Sequence, residues 1–252
     1  MEISLQEAAG ILHHSRFAVA LTGAGISVES GIPPFRGKGG LWEKMDPMEV
    51  AHIRAFRQNP GRVWDVLLRS MKNILEKASP NAGHKALFHL EKTGKLKGII
   101  TQNIDGLHQK AGNRNVIEFH GSFAKILCTE CGNHLALTAL QLETLPPLCS
   151  CGGVLRPDCV FFGEAIPKEA MERAKELSLS CDLMLVIGTS AEVWPAAELP
   201  QLARASGARI LEINPEPTPL SSGISHGLLR GSAAVLLPRL VDALDHPETE
   251  SP

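Results

Sequence analysis

Four cysteines fall in two close pairs, Cys128-x2-Cys131 and Cys149-x-Cys151, with 17 residues between the pairs. Four thiolates so spaced suit tetrahedral zinc, and an all-protein shell with no open position argues for a structural ion. The second pair is one residue tighter than the common spacing. Cys159 and Cys181 stand in apolar surroundings and read as buried small hydrophobes. His120 ends an apolar run in Phe119-His120-Gly121-Ser122. A histidine there is a candidate general base, because its ordinary pKa lies near neutrality. Thr101-Gln102-Asn103-Ile104-Asp105-Gly106-Leu107-His108 puts three amide or acid side chains at the carboxyl end of another apolar run. Ligands of open α/β sheets bind at that edge. The competing reading is that Asn103 or Asp105 caps the next helix.

Thr22-Gly23-Ala24-Gly25-Ile26-Ser27 also follows an apolar run. Glycines there allow a tight turn and close approach of the backbone to a phosphate. The dehydrogenase fingerprint fails, because Val28 occupies the third glycine position and no ribose-binding acid ends the next strand. Pro33 and Pro34 prevent one continuous helix after the turn. The glycine-flanked Phe35-Arg36 that follows looks built to close over a ligand. Further polar or glycine groups end later runs: Phe162-Gly163-Glu164, Gly188-Thr189-Ser190 with Val193 beyond it, Asn214-Pro215-Glu216, and Gly231-Ser232-Ala233. Together they describe a rim able to hold an extended nucleotide.

The elements that must carry these groups alternate. Strands are expected at 17–22, 96–102, 116–119, 183–187, 208–213 and 234–237, and helices near 5–14, 60–77, 82–93, 168–179, 195–206 and 239–245. Asn81 is a plausible N-cap and Pro60 a plausible first-turn residue. Short apolar runs of this kind suit strands covered on both faces, so the expected fold is α/β, a doubly wound Rossmann-like parallel sheet with a small inserted zinc ribbon and a helical module. The Rossmann-like domain is assigned to 1–37, 81–123 and 157–244, the helical insert to 38–80, the zinc module to 124–156, and a polar tail to 245–252. At 252 residues with 44% hydrophobic and 21% charged, the chain has material for a sizeable core. A net charge of −2 gives no bulk attraction to nucleic acid or anionic lipid. No run approaches a membrane span, and Glu2 and Glu7 in the first segment argue against a secretory signal. The expectation is a cytoplasmic monomer without nucleic-acid or membrane partners.

Taken together, residues 23–36, 101–108, His120-Gly121, the four cysteines, 162–164, 188–190 and 214–216 resemble the sirtuin family of NAD-dependent protein-lysine deacylases, over about residues 5–240. The resemblance implies that Ala24, Gly25, Ser190, Asn214 and the backbone near Ser232 hold the adenosine and phosphates of NAD, with Gly23, Ser27, Gly188, Thr189, Glu216 and Ala233 also among the cofactor-binding residues. Phe35 and Arg36 would belong to the cofactor loop. Gln102, Asn103 and Asp105 would serve the nicotinamide ribose and carboxamide, Ile104 would also bind the cofactor, and Asn103 and His120 would be catalytic. Val160, Phe162, Gly163, Glu164 and Val193 would take the acyl-lysine peptide as an added strand. Cys128, Cys131, Cys149 and Cys151 would hold one zinc ion. The products would be free lysine, nicotinamide and 2′-O-acyl-ADP-ribose. Members that remove succinyl or malonyl groups carry Tyr-x-x-Arg in the helical insert. This chain has no tyrosine, and its equivalent stretch is Leu67-Leu68-Arg69-Ser70. An apolar acyl pocket is therefore expected. Protein ADP-ribosyl transfer or NAD hydrolysis would use the same cofactor residues and stands as the alternative.

Overall fold

The computed structural model describes residues 1–34, 40–43 and 45–246. The first helix, α1 (Leu5–His14), starts at a reciprocal cap in which Ser4 and Glu7 satisfy each other's backbone N–H groups. β1 (Ala18–Thr22) follows and is buried along its whole length. In the helical insert, α2 (Pro47–Val50), α3 (Ile53–Gln58) and α4 (Pro60–Val63) lead through a π-helical turn at Trp64–Leu68 into α5 (Arg69–Lys77). Pro60 occupies the first turn of α4, where its missing N–H costs nothing. α6 (Ala82–Lys92) is capped by Asn81, whose side chain accepts from the Gly83 and His84 N–H groups. β2 (Leu96–Thr101), α7 (Leu107–Ala111) and β3 (Val116–Glu118) follow, then the antiparallel strands β4 (Gly121–Cys128), β5 (His134–Ala136) and β6 (Leu155–Cys159). α8 (Lys168–Ser180), β7 (Leu183–Ile187), α9 (Leu199–Ala205), β8 (Arg209–Asn214), β9 (Gly227–Arg230) and α10 (Ala233–Asp245) complete the chain.

Six strands form one sheet in the order β3-β2-β1-β7-β8-β9, every neighbouring pair parallel. In chain sequence that is the 3-2-1-4-5-6 order of doubly wound sheets, and the order reverses between β1 and β7. Alternate residues of β1 serve opposite faces. Ala18 and Ala20 pack with Leu12 of α1, Leu87 of α6 and Leu237 of α10. Val19 and Leu21 pack with Ala174 of α8 and Leu199 of α9.

One expected strand is wrong. Residues 234–237 lie in α10, and the sixth strand is β9. The run Ala-Val-Leu-Leu is apolar but its burial is helical: Ala233, Leu237, Leu240, Val241 and Leu244 are buried at three- and four-residue spacing. Ser232 caps this helix by accepting from the Ala234 N–H.

The two inserts share one core. Val50, Phe56, Trp64 and Leu68 of the helical insert pack in one cluster with Phe123, Ile126 and Leu155 of the antiparallel sheet. The Trp64 Nε1–H donates to the Leu155 carbonyl at 2.8 Å. That sheet runs in the order β5-β4-β6 from Gly121 to Cys159, a few residues outside 124–156 at each end. Among the described residues no helix is long and apolar enough to cross a membrane. Of the expected polar tail 245–252, Asp245 is the last residue of α10 and His246 follows it, and residues 247–252 lie outside the described residues.

Candidate active site

The reversal of strand order opens a crevice at the carboxyl ends of β1 and β7, and two glycine turns meet there. The Gly25 N–H donates to the Gly188 carbonyl at 2.8 Å, and the Gly23 N–H to the Ile187 carbonyl at 3.0 Å. A Cβ on Gly25 would lie 2.6 Å from Gly188 Cα, so the approach excludes any side chain. Gly188 itself is left-handed, with φ +59°. After the turn the chain makes a 3-10 helix, Ala24–Ser30, which ends at left-handed Gly31.

β2 delivers the polar run beside this crevice. The Gln102 amide donates to Thr189 Oγ1 at 2.9 Å, tying the ends of β2 and β7 together. Asn103 is buried, and its Nδ2 donates to the Gly23 carbonyl at 3.1 Å and to Ser27 Oγ at 3.3 Å. Both amide hydrogens are thereby engaged, and Oδ1 is the group Asn103 can offer a ligand. Ser27 in turn donates to Asp105 Oδ2 at 2.8 Å. Asp105 also accepts from the Leu107 N–H, which is the capping contact weighed against a ligand role. Burial raises the Asp105 pKa above the ordinary carboxylate value, although these hydrogen bonds and Lys110 pull the other way.

His120 stands between β3 and β4. Its Nδ1 lies 2.9 Å from the Gln102 carbonyl. A carbonyl only accepts, so Nδ1 carries the proton and the neutral ring keeps its lone pair on Nε2. Burial lowers the His120 pKa below its ordinary value, opposed by that hydrogen bond. The ring is therefore neutral at pH 7 and able to take a proton.

These groups share one cavity of about 770 Å³. Its wall includes Gly23, Ala24, Gly25, Gln102, Asn103, Ile104 and His120. Gly188, Thr189, Ser190, Asn214, Glu216 and Ser232 complete the sheet side. The opposite side carries Val160, Phe162, Gly163, Glu164 and Val193. Three expected residues do not reach the wall. Ser27 and Asp105 sit behind Asn103, and Ala233 is buried with its carbonyl against Gly83. Phe35 and Arg36 lie outside the described residues. Glu164 lines the cavity with its carboxylate committed: both oxygens meet Arg156 at 2.7 Å, and one also accepts from the Phe161 N–H. Burial would raise its pKa, but Arg156 and Phe161 more than offset this and hold it low. Phe162 pairs with the helical insert on one edge, its carbonyl accepting from the Ile53 N–H and its own N–H donating to the Ala51 carbonyl, both at 3.0 Å.

Sequence reasoning missed several wall residues. Met71 and Phe123 join Leu67 and Leu68, which lie in the stretch the acyl-pocket expectation named, in an apolar end to the cavity. Arg69 points elsewhere, pairing with Asp65 at 2.7 Å on the exposed face of the insert. Glu29 and Trp194 also line the wall. Glu29 accepts a hydrogen bond from Ser232, joining the first glycine turn to the start of α10. Only the places of Glu29 inside the 23–36 motif and of Trp194 next to Val193 could have suggested them.

The four paired cysteines converge. Their sulfurs all lie within 4.8 Å of one another, with Cys128 and Cys151 at 3.5 Å and Cys131 and Cys149 at 3.8 Å. None is in a disulfide. A tetrahedron with Zn–S bonds of about 2.3 Å has edges of about 3.8 Å, so the donor set fits zinc.

A sequence model of the Sir2 family matches residues 23–195. The chain belongs to the Sir2 family. Among curated Sir2-type relatives, the NAD-dependent protein deacylase 2 of Pyrobaculum aerophilum is 47% identical over 235 residues, covering 93% of each chain. The NAD-dependent protein deacylase of Aquifex aeolicus is 50% identical over 204 residues, covering 81% of this chain and 85% of its own. Among solved structures, a Sir2 homologue in complex with NAD matches with a TM-score of 0.89 and 42% identity, covering 97% of this chain and 95% of that one. A complex of Sir2 with a p53 peptide and NAD+ matches with a TM-score of 0.87 and 35% identity, covering 95% and 98%.

Proposed function

We propose that this chain is an NAD-dependent protein-lysine deacylase. The observation that carries the reading is His120, fixed by the Gln102 carbonyl with Nε2 as the basic nitrogen, on the wall of a cavity that also contains the switch-point rim. NAD, when bound, supplies a ribose carbon from which nicotinamide departs and a hydroxyl that receives the acyl group. The amide and hydroxyl groups of Gln102, Asn103, Ser190 and Asn214, with the backbone at Gly23–Gly25 and Ser232, would hold it. Asn103 offers a fixed acceptor, because Gly23 and Ser27 occupy its donors. His120 would accept the proton of a sugar hydroxyl and return it later, work suited to a base that is neutral at pH 7. The peptide would add as a strand along Phe162-Gly163-Glu164, whose other edge is taken by residues 51–53. Zinc on the four cysteines would crosslink the small domain without entering the chemistry.

The acyl group would enter the apolar end formed by Leu67, Leu68, Met71 and Phe123. A succinyl or malonyl carboxylate there would be desolvated without a cation, at a cost on the order of kcal/mol. Acetyl and longer apolar groups are the expected substrates. The test is to incubate the protein with NAD and matched acetyl-, longer-acyl- and succinyl-lysine peptides and follow every species by mass spectrometry. Loss of acetyl matched by nicotinamide and O-acetyl-ADP-ribose, dependent on NAD and abolished in His120→Ala, is the expected result. NAD consumed with the peptide intact, or ADP-ribose gained by protein, would move the assignment to a hydrolase or transferase. Equal rates on succinyl and acetyl peptides would overturn the pocket argument alone.

A further inference from the structure

We infer that Glu192 and Trp194 form a subsite at the mouth of the cavity that selects a cationic side chain, lysine or arginine, beside the acyl-lysine. The inference rests on the deacylase reading and adds a sequence preference to it. Trp194 is 70% exposed, yet it lines the same cavity as His120. An indole left in water gives up the burial that a tryptophan ordinarily contributes. Its position is not the result of a loose loop. The Gln102 amide and the Ala191 N–H both donate to Thr189 Oγ1, at 2.9 and 3.2 Å, and the Val193 carbonyl accepts from the Ala197 N–H at 2.9 Å. Ala191 is held at φ +53°, the left-handed region a residue with a Cβ avoids. This segment, anchored at Thr189 and Val193 and strained between them, carries Glu192 and leads into Trp194, both exposed and both on the cavity wall.

The charge around the mouth points to the ligand. No lysine or arginine is among the described residues of the wall, whereas Glu29, Glu164, Glu192 and Glu216 are. Glu164 is neutralised by Arg156 and Glu216 by Arg230, and Glu29 is engaged by Ser232. Glu192 is exposed and has no hydrogen-bond or ion-pair partner among the described residues. A free carboxylate two residues from an open aromatic face is a pairing that a guanidinium or ammonium can satisfy at once. Val193 lies between them on the segment expected to flank the peptide, so the cation belongs to a substrate residue close to the acyl-lysine.

The test uses acetyl-lysine peptides that differ only in having Arg, Leu or Glu at the positions immediately before or after the modified lysine. At saturating NAD, kcat/KM for the best Arg peptide should exceed that for its Leu counterpart by about fivefold, the size of one exposed cation–aromatic contact plus a rim ion pair. The Glu peptide should be poorer than the Leu peptide. Trp194→Ala and Glu192→Gln should each pull the Arg-to-Leu ratio toward one, and added salt should shrink it in the native protein. A native ratio near one, or a ratio that survives both substitutions, would overturn the subsite. No turnover of any peptide would overturn the deacylase reading, and the subsite with it.

Discussion

Two histidines buried behind the site should make the protein acid-sensitive in a way that one substitution can isolate. His84 and His108 are 0% and 1% exposed, with ring centroids 5.0 Å apart. His108 Nε2 meets Thr22 Oγ1 at 3.0 Å, and its Nδ1 has no hydrogen-bond partner. His84 Nδ1 is likewise unpartnered. A second proton on either ring would find no acceptor and would face the neighbouring ring. Burial accordingly drives the His84 pKa down to about 4 and, reinforced by His84, that of His108 down to about 3. In the unfolded chain both return to about 6.5. Between those values only the unfolded state binds the proton, so the stability contribution is present above pH 6.5 and is lost as pH falls. From pH 7 to pH 5 each ring costs the fold about 2 kcal/mol, about 4 for the pair, against a total stability on the order of 5–15 kcal/mol. The magnitude is insensitive to the folded pKa, provided that value lies well below 5. Urea unfolding at pH 7, 6 and 5 in zinc-containing buffer measures it directly. His108→Leu removes one titrating ring while Thr22 keeps its bond to Thr101. Its stability should fall about 2 kcal/mol less than the native protein's over the same interval. Proton uptake by the cysteine thiolates is common to both proteins and cancels in the difference. Equal falls would refute the reasoning, whatever the variant's stability at pH 7.

Three further outcomes follow from the geometry. Gly25→Ala puts a methyl 2.6 Å from Gly188 Cα and should cost about 1–3 kcal/mol in a melting experiment and raise KM for NAD, whereas Gly10→Ala, whose Cβ meets nothing, should do neither. Removing zinc by chelation should loosen the core shared by the two inserts and expose buried Trp64, read as a lower Tm and a red-shifted emission; a Tm unmoved by metal loss would contradict the shared core. Glu212 is fully buried and accepts from Thr218 and Ser221, which anchors the loop after Asn214-Pro215-Glu216. Glu212→Ala should raise KM for NAD severalfold with kcat little changed, and Glu212→Gln should restore much of the loss, since about 1–3 kcal/mol attaches to stranding the two hydroxyls.

How much of this was legible in the chain depends on the range over which each feature is encoded. The glycine turn, the polar strand end and the cysteine pairs are local signals; the expected site residues of the first two reach the cavity wall except at Ser27 and Asp105, and the four cysteines converge. The misplaced sixth strand shows the limit of local apolarity. Residues 234–237 and Leu228-Leu229 are both short apolar runs, and only the helical spacing of Leu237, Leu240, Val241 and Leu244 separates them. The union of the two inserts was beyond reach for a different reason. Trp64 and Leu155 are 91 residues apart, and their contact depends on two segments leaving the sheet domain toward the same side. The cavity's apolar end arises from that union, because Leu67, Leu68 and Met71 come from one insert and Phe123 from the other. Sequence reasoning reached an apolar acyl pocket by the absence of tyrosine; the structure shows an apolar end to the cavity, and the proposed function assigns the acyl group to it. The same distinction separates Arg69 from the acyl site. One residue of helical displacement sends it to Asp65 and water, so under the proposed function it offers no cation to an acyl carboxylate.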